Sequence, residues 1–433
     1  MNPSDPSSSK ATRTQGSYRS ALAMVTTLFF FWGFVTVLND VLVPHLKSVF
    51  ELNYARVMLI QFAFFSAYFI FSLPSAWLID SIGYKRTMVT GLLTMGAGAL
   101  LFIPAAAMPS YALFLAALMV LAAGITALQV AANPYVAVLG PPETAASRLN
   151  LAQAFNSLGT TIGPFLGGLL ILNAHPVAGD VVKGMSSDAL QAYRVQEAAS
   201  VKLPYLVIGL ALITFAVVIA KFSLPAMPGA RGHGERGSYR MALRQRHLLL
   251  GIVAIFVYVG AEVSIGSFLI NYFSQAEIGH VSESLASRYV SLYWGGAMIG
   301  RFIGSAVLQK VRTGTVLGIA ALVASLLVCI SMLTFGHVAM WSIILVGLFN
   351  SVMFPTIFTL GIAELGELTG EGSGMLVMAI VGGAIIPVIQ GVMADRIGLH
   401  HAFILPAICY LYIVFYAFKG SEVRREELPA AEL

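Results

Sequence analysis

The sequence predicts an all-α membrane protein whose twelve spanning helices form two related six-helix bundles. Three observations predict it. Of 433 residues, 58% are hydrophobic and only 10% charged, too little charge to cover the surface of a soluble protein of this size. Apolar runs long enough to cross about 30 Å of hydrocarbon recur along the whole length. Distinctive residues also repeat from one half to the other at a nearly constant offset.

The runs fall at 22–43, 55–78, 87–107, 111–139, 149–173, 201–223, 247–274, 286–309, 314–335, 338–361, 373–394 and 401–419. Continuous apolar runs suit helices, because barrel strands would alternate. Gly159, Pro164 and Gly168 in the fifth run recur as Gly382, Pro387 and Gly391 in the eleventh, 223 positions on. Asp40 and Glu262 are 222 apart, Pro134 and Pro355 are 221 apart, and Arg86-Thr87 returns as Arg312-Thr313 at 226. A duplication follows, with a substrate site between the halves. The domains are then a disordered tail at 1–20, a bundle at 21–223, a basic Gly/Pro-rich linker at 224–246, a second bundle at 247–419 and a tail at 420–433.

Charge sets the orientation. With both termini in the cytoplasm, cytoplasmic segments hold 17 Lys/Arg and outside segments 7, and Arg301 lies within a helix. That is the positive-inside bias, so the net charge of +5 reports topology and not a nucleic-acid partner. No small-residue cleavage site follows the first run, so the Ser-rich start is a tail and not a signal peptide. Cys329 and Cys409 lie within spans and read as small core residues.

Taken in order, the first helix carries the most unusual group. Within Phe29–Lys47, Asp40 lies near the end of an apolar run, where an unpaired carboxylate costs roughly 3 kcal/mol or more. Gly33, Thr36 and Asp40 share one face at i, i+3, i+7, with Asn39 beside them. This face lines a polar cavity. After the second helix comes Asp80-Ser-Ile-Gly-Tyr-Lys-Arg86. Gly83 permits a tight turn, Lys85 and Arg86 anchor at the interface, and Asp80 can pair with a base or a helix N-terminus of the opposite half.

On the fourth helix Thr126, Gln129 and Asn133 share a face; on the fifth, Gln153, Asn156, Ser157 and Thr160 do. Amides and carboxylates can hydrogen-bond two adjacent sugar hydroxyls at once. The loop 174–200 holds a short surface helix, with Ser187 or Asp188 as its candidate cap. In the second half Tyr258 and Glu262 share a face of the seventh helix, with Trp294 on the eighth and Asn350 on the tenth. Trp294 or Trp32 can stack on the apolar face of a pyranose. Arg301 neutralises a neighbour or sits near the cytoplasmic end. The Gly and Pro residues of the fifth and eleventh helices serve close contact and bending.

The D-x-x-G-x-[KR]-[KR] loop resembles the signature of the major facilitator superfamily, in which it acts as a cytoplasmic latch. A nearer resemblance, to the fucose/glucose/galactose sugar:cation symporter family, rests on several blocks. They are Leu38-Asn-Asp-Val-Leu-Val-Pro44, Leu59-Ile-Gln-Phe-Ala-Phe-Phe65, Ala131-Ala-Asn-Pro-Tyr135, Arg148-Leu-Asn-Leu-Ala-Gln-Ala-Phe-Asn-Ser157 and Tyr258-Val-Gly-Ala-Glu-Val263. The resemblance implies hexose uptake driven by a proton in most members and by sodium in some. Fucose-type members carry a glutamate where this chain has Gln129 and an uncharged residue where it has Glu262. This favours glucose/galactose or N-acetylglucosamine over fucose.

The expectation is therefore a monomeric, multi-pass carrier of the bacterial inner membrane, working by proton-coupled sugar symport with no cofactor. The coupling ion is H+, with Na+ as the alternative. Asp40 and Glu262 are the coupling candidates. Asn39, Gln129, Asn133, Gln153, Asn156, Tyr258, Trp294 and Asn350 are the sugar candidates, and Asp80, Gly83, Lys85 and Arg86 form the gate. A proton-coupled drug exporter is the rival, because Gly159-Thr-Thr-Ile-Gly-Pro-Phe-Leu-Gly-Gly168 resembles an antiporter motif, but a drug pocket would be mostly apolar. The eight His form no metal spacing, and no G-x-S-x-G or Walker loop is present. An enzyme is not expected.

Overall fold

The computed structural model describes residues 18–37, 54–108, 110–171, 185, 186, 189, 202–225 and 238–423. Its helices are α1 (Tyr18–Val37), α2 and α3 (54–82 and 84–107, joined in one run Tyr54–Ala107), α4 (Tyr111–Val138) and α5 (Ala145–Ile171). Then come α6 (Lys202–Lys221), α7 (Arg246–Ser274), α8 (Glu283–Val307) and α9 (Thr313–Leu333). The set closes with α10 (Gly336–Gly361), α11 (Gly366–Ile397) and α12 (Leu399–Gly420). A short helix, Ser238–Arg244, precedes α7.

Among the described residues nine stretches are long and apolar enough to cross a membrane. One of these nine, Phe62–Ala107, takes in most of α2 and all of α3. α5 and α8 complete the twelve. They are the polar members, carrying Asn150, Gln153 and Asn156, and Arg288 and Arg301.

Gly83 divides α2 from α3 with φ 81° and ψ 162°, backbone that only glycine adopts without strain. Gly398, at φ 82°, makes the same turn between α11 and α12. α11 begins at Gly366, seven positions before the expected 373. Its first turns hold Glu367 and Glu371, which hydropathy excluded from the run. Of the expected surface helix, 187 and 188 lie outside the described residues, and Ser186 Oγ accepts from the Ala189 amide at 3.3 Å.

Association of such helices gains little from the hydrophobic effect, because lipid is as apolar as the partner. Close approach does the work instead. A Cβ on Gly159 would lie 2.2 Å from the Phe30 carbonyl oxygen, and one on Gly382 2.0 Å from that of Phe256. These glycines let α5 lie on α1 and α11 on α7 by the same device. Large apolar side chains such as Phe62, Val388 and Leu333 (81% exposed) stay on the outside.

The linker end of the molecule is tied together by side chains reaching carbonyls. Lys85 Nζ donates to Ala220 O at the end of α6 (2.8 Å), Tyr135 Oη to Pro225 O (3.0 Å) and Tyr239 Oη to Leu73 O (3.2 Å). Arg148 donates to Ala137 O (2.6 Å), Pro141 O (2.9 Å) and Val136 O (3.2 Å). It thereby satisfies the free carbonyls at the α4 C-terminus.

Candidate functional site: the polar seam between the bundles

Each bundle holds one buried amide against one buried phenol. On α4 Gln129 Nε2 donates to Tyr68 Oη of α2 at 2.7 Å. On α10 Asn350 Nδ2 donates to Tyr293 Oη of α8 at 2.8 Å. The amides are 221 positions apart and the phenols 225, so the duplication extends to a polar crosslink that the sequence reading missed. Tyr258 Oη donates to the Asn350 carbonyl (3.1 Å). Tyr258, Tyr293 and Asn350 are all buried.

Glu262, one turn along α7 from Tyr258, faces the Tyr258 hydroxyl and the charge of Arg301 on α8. Its Oε1 is shielded from solvent and has no hydrogen-bond partner among the described residues. In the first half Asn156 Nδ2 donates to Phe29 O of α1 (3.0 Å). Asn133 is fully buried, and neither of its amide atoms finds a partner among the described residues. Gln153 is buried. Trp32 is buried against Phe29, ring centroids 5.2 Å apart, whereas Trp294 is 45% exposed beside Tyr293. Asn39 and Asp40 lie outside the described residues.

Two seams close the linker half between the bundles. Along α5 and α8, Ser147 Oγ donates to Ser305 O (2.7 Å) and Ser305 Oγ to Ser147 O (3.1 Å). Asn150 Nδ2 donates to the Arg301 carbonyl (2.6 Å). Arg301 Nη1 donates to Ser157 Oγ, and to Gln153 O at 3.3 Å. On the other side, a Cβ on Gly374 of α11 would lie 2.8 Å from the Ala76 Cβ of α2. Ser373 Oγ donates to Val130 O of α4 (2.8 Å).

Asp80 lies in the last turn of α2, beyond the apolar run 55–78 and next to the Gly83 turn. Its carboxyl rests by Gly370, in the first turn of α11's helix Thr369–Met378, where a helix N-terminus favours negative charge. Yet burial pushes this carboxyl up to about 7, and the Glu371 carboxylate adds to the effect. The charged neighbour from the opposite half is thus an acid and not a base. Lys85 caps α6 within its own half, and Arg86 is exposed. A 530 Å³ cavity at this end is lined by Tyr84, Pro134, Thr359 and Glu364 among others. None of the described sugar candidates lines it.

The packing also corrects one pairing of the repeat. Phe30 and Phe256 play the same part against Gly159 and Gly382, which sets the α1-to-α7 offset at 226. Glu262 therefore matches Thr36, whose Oγ1 donates to Trp32 O (2.9 Å), and not Asp40. Each carboxylate is a singular feature of its own half.

The sequence matches the Major Facilitator Superfamily over residues 22–380. The chain belongs to the major facilitator superfamily. Within it, the chain is a member of the fucose/glucose/galactose sugar:cation symporter family, carriers and not enzymes. A glucose/galactose transporter of Brucella abortus is 52% identical over 95% of this chain and 96% of its own. The L-fucose-proton symporter of Escherichia coli is 37% identical over 93% of both chains. The crystal structure of a major facilitator superfamily transporter, FucP, in the outward conformation superposes with a TM-score of 0.87 at 36% identity, covering 93% of this chain and 98% of that one.

Proposed function

We propose that this superfamily member imports a hexose of the glucose/galactose type together with a proton, by alternating access. The observation that carries the reading is the interior chemistry: each bundle encloses amides and phenols, the second adds a carboxylate, and the two bundles are shut against each other at the linker half. Such groups suit a polyol, and the similarity to sugar carriers supports the same substrate class. Basic residues concentrate in the segments read as cytoplasmic, which supports a linker end and two termini facing the cytoplasm of a bacterial inner membrane. The described state is then outward-facing. A single chain holds a whole site, so the carrier works as a monomer and needs no cofactor.

Asp40 carries the proton in this scheme. It takes up a proton with the sugar, and its neutralisation lets the loaded carrier close without moving a bare charge through the membrane. One proton moving inward across about 100 mV contributes about 2.3 kcal/mol, enough for a roughly fifty-fold sugar gradient. The test is uptake of labelled glucose and galactose into proteoliposomes under a pH gradient, with sodium present and absent. Asp40→Asn abolishes uphill uptake and spares counterflow exchange. Uptake that follows sodium and ignores the pH gradient overturns the proton reading.

A further inference from the structure

Arg301 is a second half-buried charge, and its bonds run the wrong way for a residue that only packs α8. Both acceptors of Nη1, Ser157 Oγ and Gln153 O, belong to α5 of the other bundle. The Arg301 carbonyl is gripped from the same helix by Asn150. At the same time Arg301 Nε is shielded and without a partner among the described residues, and so is Glu262 Oε1. The two orphans are a donor and an acceptor of opposite charge on neighbouring helices, within each other's field. Around Glu262 stand Tyr258 of its own helix, Arg301 and Tyr293 of α8 and Tyr410 of α12.

Opening the linker end must draw α5 away from α8. Arg301 then loses both acceptors of Nη1 at once, and a guanidinium left unpaired inside a membrane protein is strongly unfavourable. Glu262 does not leave with α5, because α7 and α8 belong to the same bundle.

The geometry points to Arg301 as a two-partner switch that holds α5 when the linker end is closed and pairs with Glu262 when it opens. Glu262 is then a positioning residue acting through Arg301. Proton coupling is left to Asp40. The inference rests on alternating access as proposed above and deepens it by separating the roles of the two carboxylates.

The experiment reads the opening directly. Ser147 is 4% exposed, sealed in the α5/α8 seam, so a thiol there reacts only when the seam parts. S147C is introduced into the full chain with Cys329 and Cys409 replaced by alanine, and labelling by N-ethylmaleimide is timed in proteoliposomes without sugar or a pH gradient. In that background E262Q slows labelling about tenfold, because the open state loses Arg301's partner. Adding R301Q to E262Q returns the rate to within threefold of the parent. S157A, which keeps both charges, speeds labelling at least threefold by weakening the closed state. A merely structural role would move these variants in one direction. E262Q labelling at or above the parent rate, or no recovery on adding R301Q, overturns the switch. Failure of the sugar or proton assignment would leave this pattern intact, since neither sugar nor a proton gradient is used.

Discussion

Tyr293→Phe removes the acceptor of the Asn350 side-chain amide and nothing else of comparable size. Asn350 Nδ2 bonds Tyr293 Oη at 2.8 Å, while Asn350 Oδ1 has no partner among the described residues. The substitution therefore strands a fully buried amide. Leaving such a group unsatisfied costs about 1–3 kcal/mol; side-chain hydrogen bonds between membrane helices average about 0.6 and reach about 1.7. A loss of about 1–2 kcal/mol is expected, which lowers the melting temperature of the detergent-purified 433-residue protein by about 1–2 °C. Asn350→Leu in the Tyr293→Phe background removes the stranded amide as well, and replacing both partners is close to neutral. The double variant melts within about 0.5 °C of the parent. The Tyr258 bond to the Asn350 backbone is untouched in every variant, so it does not confound the cycle. If the second substitution lowers stability further instead of restoring it, the amide–phenol pair is not the unit described above. The Tyr68→Phe and Gln129→Leu cycle in the other bundle repeats the test on its related pair.

Three further outcomes follow from single contacts. Asp80 is held at about 7, above its ordinary 3.8, in the closed linker end. That closure is fully favoured below pH about 4 and loses stability as pH rises to about 7, levelling off above it. Asp80→Asn flattens that dependence in melts taken from pH 5 to 8, and an unchanged slope refutes the assignment. Lys85→Met removes the cap on the Ala220 carbonyl and lowers stability by about 0.3–1 kcal/mol, read as a small melting shift with KM for sugar unaltered. Gly382→Val brings side-chain atoms into the Phe256 backbone, where even a Cβ lies 2.0 Å from the carbonyl oxygen. α7 and α11 cannot then meet, and monodisperse protein is lost on gel filtration; wild-type uptake by this variant would refute the packing.

Composition and run length by themselves determined a twelve-helix membrane protein, because a helix crossing hydrocarbon must satisfy its own backbone and present apolar side chains over some twenty residues. Repeated glycines and prolines marked the duplication, since Gly159 and Gly382 answer the same steric demand at equivalent helix contacts. Periodicity also placed Gln129, Asn133, Gln153 and Asn156 on inward faces. It did not say what each would meet. Gln129 finds Tyr68, sixty-one positions away, and Asn156 finds a carbonyl on α1, while Asn133 meets no described partner.

Only the tertiary structure decided those partners, as it decided that Arg301 ties α8 to the opposite bundle and that Asp80 faces Glu371. It also moved the match of Glu262 from Asp40 to Thr36, because Phe30 and Phe256 pack alike against Gly159 and Gly382. The physical reason is common to all of these. A side chain's face follows from its own helix, but its partner depends on the rotation and depth of a second helix. In a membrane those are set by close packing among glycines and small residues and not by any pattern along the chain.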